Sequence, residues 1–199
     1  LGPLSNADAR YLHGAMPTWN DFTAHPNYDD FWQRQAFNPE PSRVTVPTLN
    51  VAGWWDQEDF KGREDNELFE RVDPDNLNRL VAGPWNHGGW SSGNGDKLGA
   101  ISFDSPTGWY YRELIQAPWF AHHLKDSENP DLPEALTFRT GVNTWVRHSA
   151  WPPEDKVTVR NLYFHPGGKL TFNPPDETGD KAYDTYVSDP AKPVPYRKR

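Results

Sequence analysis

Cysteine is absent from the 199 residues, which excludes disulfides and thiolate metal sites while leaving the compartment open. No apolar run is long enough to span a bilayer, and no charged start followed by an apolar segment directs export, so any signal would lie upstream of Leu1. Basic residues are in deficit: 20 Lys and Arg stand against 28 acids, for a net charge of −8. With no basic stretch long enough to neutralise a phosphate backbone, nucleic acid is not expected as a partner. The closing "YRKR", residues 196–199, reads as a solvated tail.

What the chain does contain is punctuation and aromatic surface. Twenty prolines and 15 glycines divide it into turns and short elements, and aromatics make up 14% of it. Ten tryptophans argue against disorder, because a solvated coil cannot bury rings of that size. Residues 1–43 read as an irregular segment with one helical piece, "YDDFWQRQAF", at 28–37. "VTVPTLNVAG" at 44–53 and "LNRLVAG" at 77–83 are short apolar runs ending in glycine, and the stretch between them, 58–72, has helical spacing with Leu68, Phe69 and Val72 as candidates for its buried side. Two such strands around a helix predict a βαβ unit of a mostly parallel sheet. A further helix is expected within 107–125, with Tyr110, Tyr111, Leu114, Ala121 and Leu124 on one face and a kink at Pro118. Beyond "SENPDLPEA" the runs become short and turn-separated ("ALTFRTG", "VTVRNLYFH", "KLTF"), the rhythm of an antiparallel sandwich or jelly roll. The expected class is therefore α/β, divided into 1–43, 44–126 and a partial jelly-roll domain over 130–199.

In a parallel sheet, ligands bind just past the carboxyl ends of the strands. Asp56 lies three residues beyond Gly53 and His87 four beyond Gly83, so both are expected at one rim. An acid and a histidine so delivered are two thirds of a nucleophilic triad, in which the carboxylate fixes the imidazole tautomer and the imidazole takes a proton from a hydroxyl. The chain order, acid before histidine, is that of α/β-hydrolases. Each residue alone has a plainer explanation: Asp56 with Asp59 could cap a helix, and His87 in "GPWNHGGW" could be a loop residue bonded to backbone. Their pairing at two strand ends favours the triad.

These same segments carry a resemblance. "VPTLNVAGWWDQEDF" and "LVAGPWNHGGW" resemble the acid and histidine segments of α-amino acid ester hydrolases and glutaryl cephalosporin acylases, within the cocaine esterase and Xaa-Pro dipeptidyl-peptidase superfamily of serine hydrolases. "AWPP" at 150–153 and "YVSDPAKPVPYR" at 186–197 resemble pieces of that family's jelly-roll domain. The resemblance implies that Asp56 is the triad acid, His87 the base, and Asp29 and Asp30 a carboxylate cluster for a substrate's α-ammonium group; a solvated acidic face is the plainer account of that pair. It implies an ester or amide substrate and no cofactor, with a homo-oligomeric, extracytoplasmic protein. Ester hydrolase, cephalosporin acylase and dipeptidyl-peptidase stay open as activities. Trp54 and Trp55 are placed at the rim, where they would wall the site or pack beneath it.

The nucleophile is not in the expected place. Nothing before Asp56 fits a G-x-S-x-G elbow, and Ser5 and Ser42 lack the strand, sharp turn and helix that would present a hydroxyl. "GWSSG" at 89–93 matches literally, with Ser91 central, but it follows His87 directly and runs into "NGDKLG". It is read as a loop. The serine and the oxyanion donors are thus expected in an upstream part of the protein, on which this chain would depend for folding. No metal is expected, because His122 and His123 are adjacent and point about 100° apart on a helix. Two readings of other kinds remain: a jelly roll presenting Trp145, Trp151 and Tyr163 to a carbohydrate, and a scaffold that keeps acid and histidine without a nucleophile.

Overall fold

The computed structural model describes residues 4–36, 42, 44–56, 61–153, 157–176, 179, 183–189 and 191–192, without the side chains of 61–64. The chain divides into two compact units, one of Phe37–Val157 and the other of Leu1–Ala36 with Thr158–Arg199.

The apolar runs of the first unit become strands. β1 (Thr48–Gly53) and β2 (Asn78–Gly83) pair in parallel with Gly53 opposite Gly83, and α3 (Lys61–Glu70) connects them. Val44 and Val46, part of the same run in sequence, stay exposed ahead of the strand. β2 is the central strand because its residues are apolar on both faces: Leu80, Val81 and Ala82 are all essentially buried. On one face Val81 joins Trp85, Tyr111, Ile115 and Leu136; on the other Leu80, Ala82, Ala52 and Ala135 form a second cluster flanked by Trp54 and Trp151. Burial of Tyr111 in the first cluster pushes its phenol up to about 12.

After β2, the two-residue strands β3 (Lys97–Leu98) and β4 (Ile101–Ser102) pair antiparallel as a separate small hairpin. β5 (Ala135–Arg139) adds in parallel to β2, and β6 (Thr144–His148) closes the main sheet antiparallel to β5, for the order β1-β2-β5-β6. Sequence rhythm groups 135–148 with the jelly-roll segment; the structure builds these residues into the α/β sheet instead. The reason is the burial of β5, whose Ala135, Leu136, Thr137 and Phe138 are covered on both faces, as a strand beside a central parallel strand must be. A tight turn then leads to β6 and makes an antiparallel edge.

The helix expected over 107–125 is present in three pieces: α4 (Thr107–Tyr110), a π-helical stretch (Tyr111–Gln116) and α5 (Ala117–Lys125). The wider turn precedes Pro118, which has no N–H and whose ring would clash with the carbonyl four residues back in a regular helix. Thr107, Gly108, Tyr111, Ile115 and Trp119 are buried, whereas Leu114 and Leu124 are exposed. Similarly, Phe69 of α3 is buried but Val72 is half-exposed, because the helix ends at Glu70. The expected helix start at Glu58 and Asp59 lies outside the described residues.

In the other unit, a 3-10 turn (Leu4–Asn6) and a π-helical turn (Asp8–Leu12) precede α1 (Pro17–Ala24) and the short α2 (Asp30–Gln33). The helical reading of 28–37 is thus realised over four residues. β7 (Tyr163–His165) and β8 (Lys169–Thr171) form an antiparallel hairpin around Gly167 and Gly168, both at positive φ. This hairpin is the only strand pairing among the described residues after 148. No helix among the described residues is long and apolar enough to cross a membrane.

Candidate active site

The parallel ladder continues past the last paired glycines. Trp54 N–H donates to Gly83 O at 2.9 Å and Trp55 N–H to Trp85 O at 3.0 Å, so the two strand-end loops leave the sheet side by side. Gly53 permits this approach: a Cβ there would lie 2.4 Å from Trp85 O. Gly83 is equally constrained, since a Cβ would meet the Trp85 indole at 2.4 Å. Trp85 turns inward beneath the loop and donates Nε1–H to Thr107 Oγ1 at 2.9 Å.

At the end of these loops, His87 Nδ1 lies 3.1 Å from Asp56 Oδ2. The Asp56 side chain is 1% exposed and that of His87 53%. An ionised carboxylate only accepts, so Nδ1 is the donor toward it, and in a neutral imidazole of that tautomer Nε2 is the acceptor. A buried acid behind a half-exposed imidazole is the arrangement that lets the outer nitrogen exchange protons with a hydroxyl or water on the solvent side of the ring.

Trp54 and Trp55 do lie at this rim, with different surroundings. Trp54 Nε1–H donates to Phe138 O at 2.9 Å and its ring packs 6.2 Å from that of Trp151, which ties it into the sheet. Trp55 packs against Phe103 with ring centroids 6.0 Å apart. Both are half-buried. Trp85 and Thr107, which support the loop from below, are not evident from sequence; the signal available is the tryptophan in "GPWNHGG".

Ser91 sits in the turn after His87, where its hydroxyl donates to Gly88 O at 2.7 Å and no helix follows. That turn has neither the entering strand nor the leaving helix of a nucleophile elbow.

Asp29 and Asp30 belong to the other unit. Asp29 caps α2 by accepting Phe31 N–H at 3.0 Å, and its second oxygen bonds His25 Nδ1 at 2.7 Å. The His25 hydrogen bond is the main reason its carboxyl is held below the usual aspartate value, with the backbone bond to Phe31 adding to it against desolvation. The His25 ring in turn stacks on Phe31, centroids 4.5 Å apart. Asp30 is exposed in the first turn of α2. No cluster of three or more metal-ligating side chains occurs among the described residues.

Residues 3–89 match the family profile described as X-Pro dipeptidyl-peptidase (S15 family). The chain is 28% identical over 196 residues to the cocaine esterase of Rhodococcus sp. (strain MB1 Bresler), a match covering 92% of this chain and 33% of the relative. Among solved structures, an aminopeptidase from the marine sediment archaeon Thaumarchaeota archaeon is 39% identical with a TM-score of 0.78, covering 97% of this chain and 31% of that one. An α-amino acid ester hydrolase is 36% identical with a TM-score of 0.80, over 98% of this chain and 33% of the other. The chain therefore spans about a third of the length of these relatives. Sequence likeness and fold agree over almost its whole extent, and together these matches support its assignment to the superfamily of the cocaine esterase and the X-Pro dipeptidyl-peptidases.

Proposed function

We propose that this chain contributes the acid and the base of a serine hydrolase whose nucleophile lies in another part of the protein. The observation that carries the reading is the 3.1 Å contact between His87 Nδ1 and Asp56 Oδ2 past the ends of two paired parallel strands. In the proposed reaction, a serine hydroxyl attacks the carbonyl carbon of an ester or amide, and its proton passes to His87 Nε2. Asp56 keeps the Nδ1 proton in place and stabilises the imidazolium. The leaving alkoxide or amine takes the proton from Nε2 as the acyl–serine ester forms. Water, deprotonated by the same nitrogen, then releases the acid and restores the serine.

The substrate class we favour has an α-amino group on its acyl part. Support comes from two similar structures bearing the names aminopeptidase and α-amino acid ester hydrolase. Asp29 and Asp30 are the proposed partners of that ammonium. With both Asp29 oxygens engaged inside its own unit, the exposed Asp30 is the better placed of the two to offer a carboxylate.

The test is fluorophosphonate labelling of the complete protein followed by mapping of the modified peptide. Label on a serine outside these 199 residues, abolished in His87→Ala, is the expected result. Label on Ser91, or labelling undiminished in His87→Ala, would overturn the assignment. An accompanying comparison of α-amino esters with their deaminated counterparts should favour the former, with the preference lost in Asp30→Asn.

A further inference from the structure

We propose that Arg112 is a positioning residue for His87, acting through the loop that carries the imidazole. The proposal rests on the hydrolase reading above and deepens it. The His87 ring is half-exposed, and among the described residues Asp56 is the one side chain it bonds. Packing therefore does little to fix the ring, and its place depends on where the loop backbone runs.

That loop leaves β2 at Gly83 and ends at β3. Its first part is closed locally, by Gly89 N–H to Asn86 O at 3.0 Å and Ser91 N–H to Gly88 O at 2.9 Å. Its far end is fastened to the start of α4, where Asn94 O accepts Gly108 N–H at 2.9 Å and Gly95 O accepts the Thr107 hydroxyl at 2.5 Å. Gly95 can approach so closely only without a side chain, since a Cβ would lie 2.5 Å from Gly108 N. Between these anchors, Arg112 donates Nη1–H to Trp90 O at 3.0 Å and Nη2–H to Gly93 O at 2.8 Å. One planar guanidinium thus spans two carbonyls three residues apart in the loop.

Arg112 is available for this because of where it stands. It lies in the π-helical stretch beside the buried Tyr111, whose ring packs edge-on against Trp85 directly under the loop at 5.7 Å. Although the chain is acidic overall, no carboxylate among the described residues lies within ion-pair distance of Arg112, so its donors are committed to backbone. Lysine, with a single nitrogen, cannot bridge both carbonyls in the same way.

The experiment compares Arg112→Gln, Arg112→Lys and His87→Ala in the complete protein, by steady-state ester hydrolysis with thermal melting as a folding control. Arg112→Gln is expected to lower kcat roughly ten- to hundred-fold while KM changes little, as a small misplacement of a catalytic base would. Arg112→Lys should recover part of that loss, and it remains informative if the glutamine variant fails to fold. A glutamine variant with kcat within two-fold of wild type, a change confined to KM, or a lysine variant no better than glutamine would overturn the proposal. If His87→Ala itself keeps full activity, it is the hydrolase reading that fails, which separates the two.

Discussion

The two ends of the β1–β2–β5 sheet are both polar, and they use polarity in opposite ways. At the amino end, Asn78 is buried with its side chain donating to Asn66 O and Glu70 Oε2, each at 3.1 Å, and accepting from Asn50 Nδ2 at 2.6 Å. Asp73 receives the backbone N–H groups of Leu77 and Asn78 at 3.0 and 2.6 Å, closing the turn into β2. Arg79 meets Glu134 at 3.2 Å. These groups bond one another within the protein. At the carboxyl end the acid is buried, but its partner histidine is half-exposed, and among the described residues Asp56 is the one side chain it bonds. Side chains that hydrogen-bond one another can stabilise a fold, whereas a half-exposed imidazole backed by a buried acid can act on something else.

Substitutions at each end should separate these roles. The largest effect is expected for Asp56→Asn, which would lower kcat of the complete protein by roughly 10³–10⁴-fold through the wrong imidazole tautomer, with little change in KM. A kcat within ten-fold of wild type would place catalysis elsewhere. Gly53→Ala should affect both properties, because its methyl would press on Trp85 O at 2.4 Å and drive the two loops apart. A loss of about 1–3 kcal/mol in denaturant unfolding is expected, together with a fall in kcat.

At the amino end, Asn78→Ala should cost about 1–3 kcal/mol by stranding its buried partners, while kcat at saturating substrate stays unchanged. A matching loss of kcat would show that the two ends are not independent. The smallest effect concerns Glu134. Burial first, and then the neighbouring Glu70 carboxylate, raise its pKa from 4.5 to about 7, with Arg79 pulling the other way. The folded state therefore holds the Glu134 proton more tightly than the unfolded chain does. This contribution to stability is full below about pH 4.5 and is lost as the pH rises to about 7. Glu134→Gln should remove that part of the slope, as read from urea midpoints measured between pH 4 and 8.

Much of this arrangement is legible in the sequence, for reasons that are local. β-branched and apolar runs ending in Gly53 and Gly83 announce two parallel strands, and counting three and four residues past them leads to Asp56 and His87. What misleads is texture without partners. The short run at 135–139 has the same appearance in a sandwich or a sheet, and only its pairing with Leu80–Ala82 decides between them. Likewise the exposed Leu114 and buried Ile115 differ by one position, which the π-helical stretch and Pro118 make hard to phase from periodicity alone.

By itself, then, the sequence determined the parallel pair of strands, the residues that follow them and the absence of an elbow around any serine before Asp56. These follow from side-chain apolarity, from glycine placement and from chain order. The tertiary structure decided which carbonyls each loop could reach. The tilt of Trp85 beneath the rim, the 3.1 Å approach of acid to imidazole and the grip of Arg112 on the histidine loop all depend on atoms far apart in the chain. Hydrogen bonds are satisfied over about 3 Å, a length that no spacing along a sequence can specify.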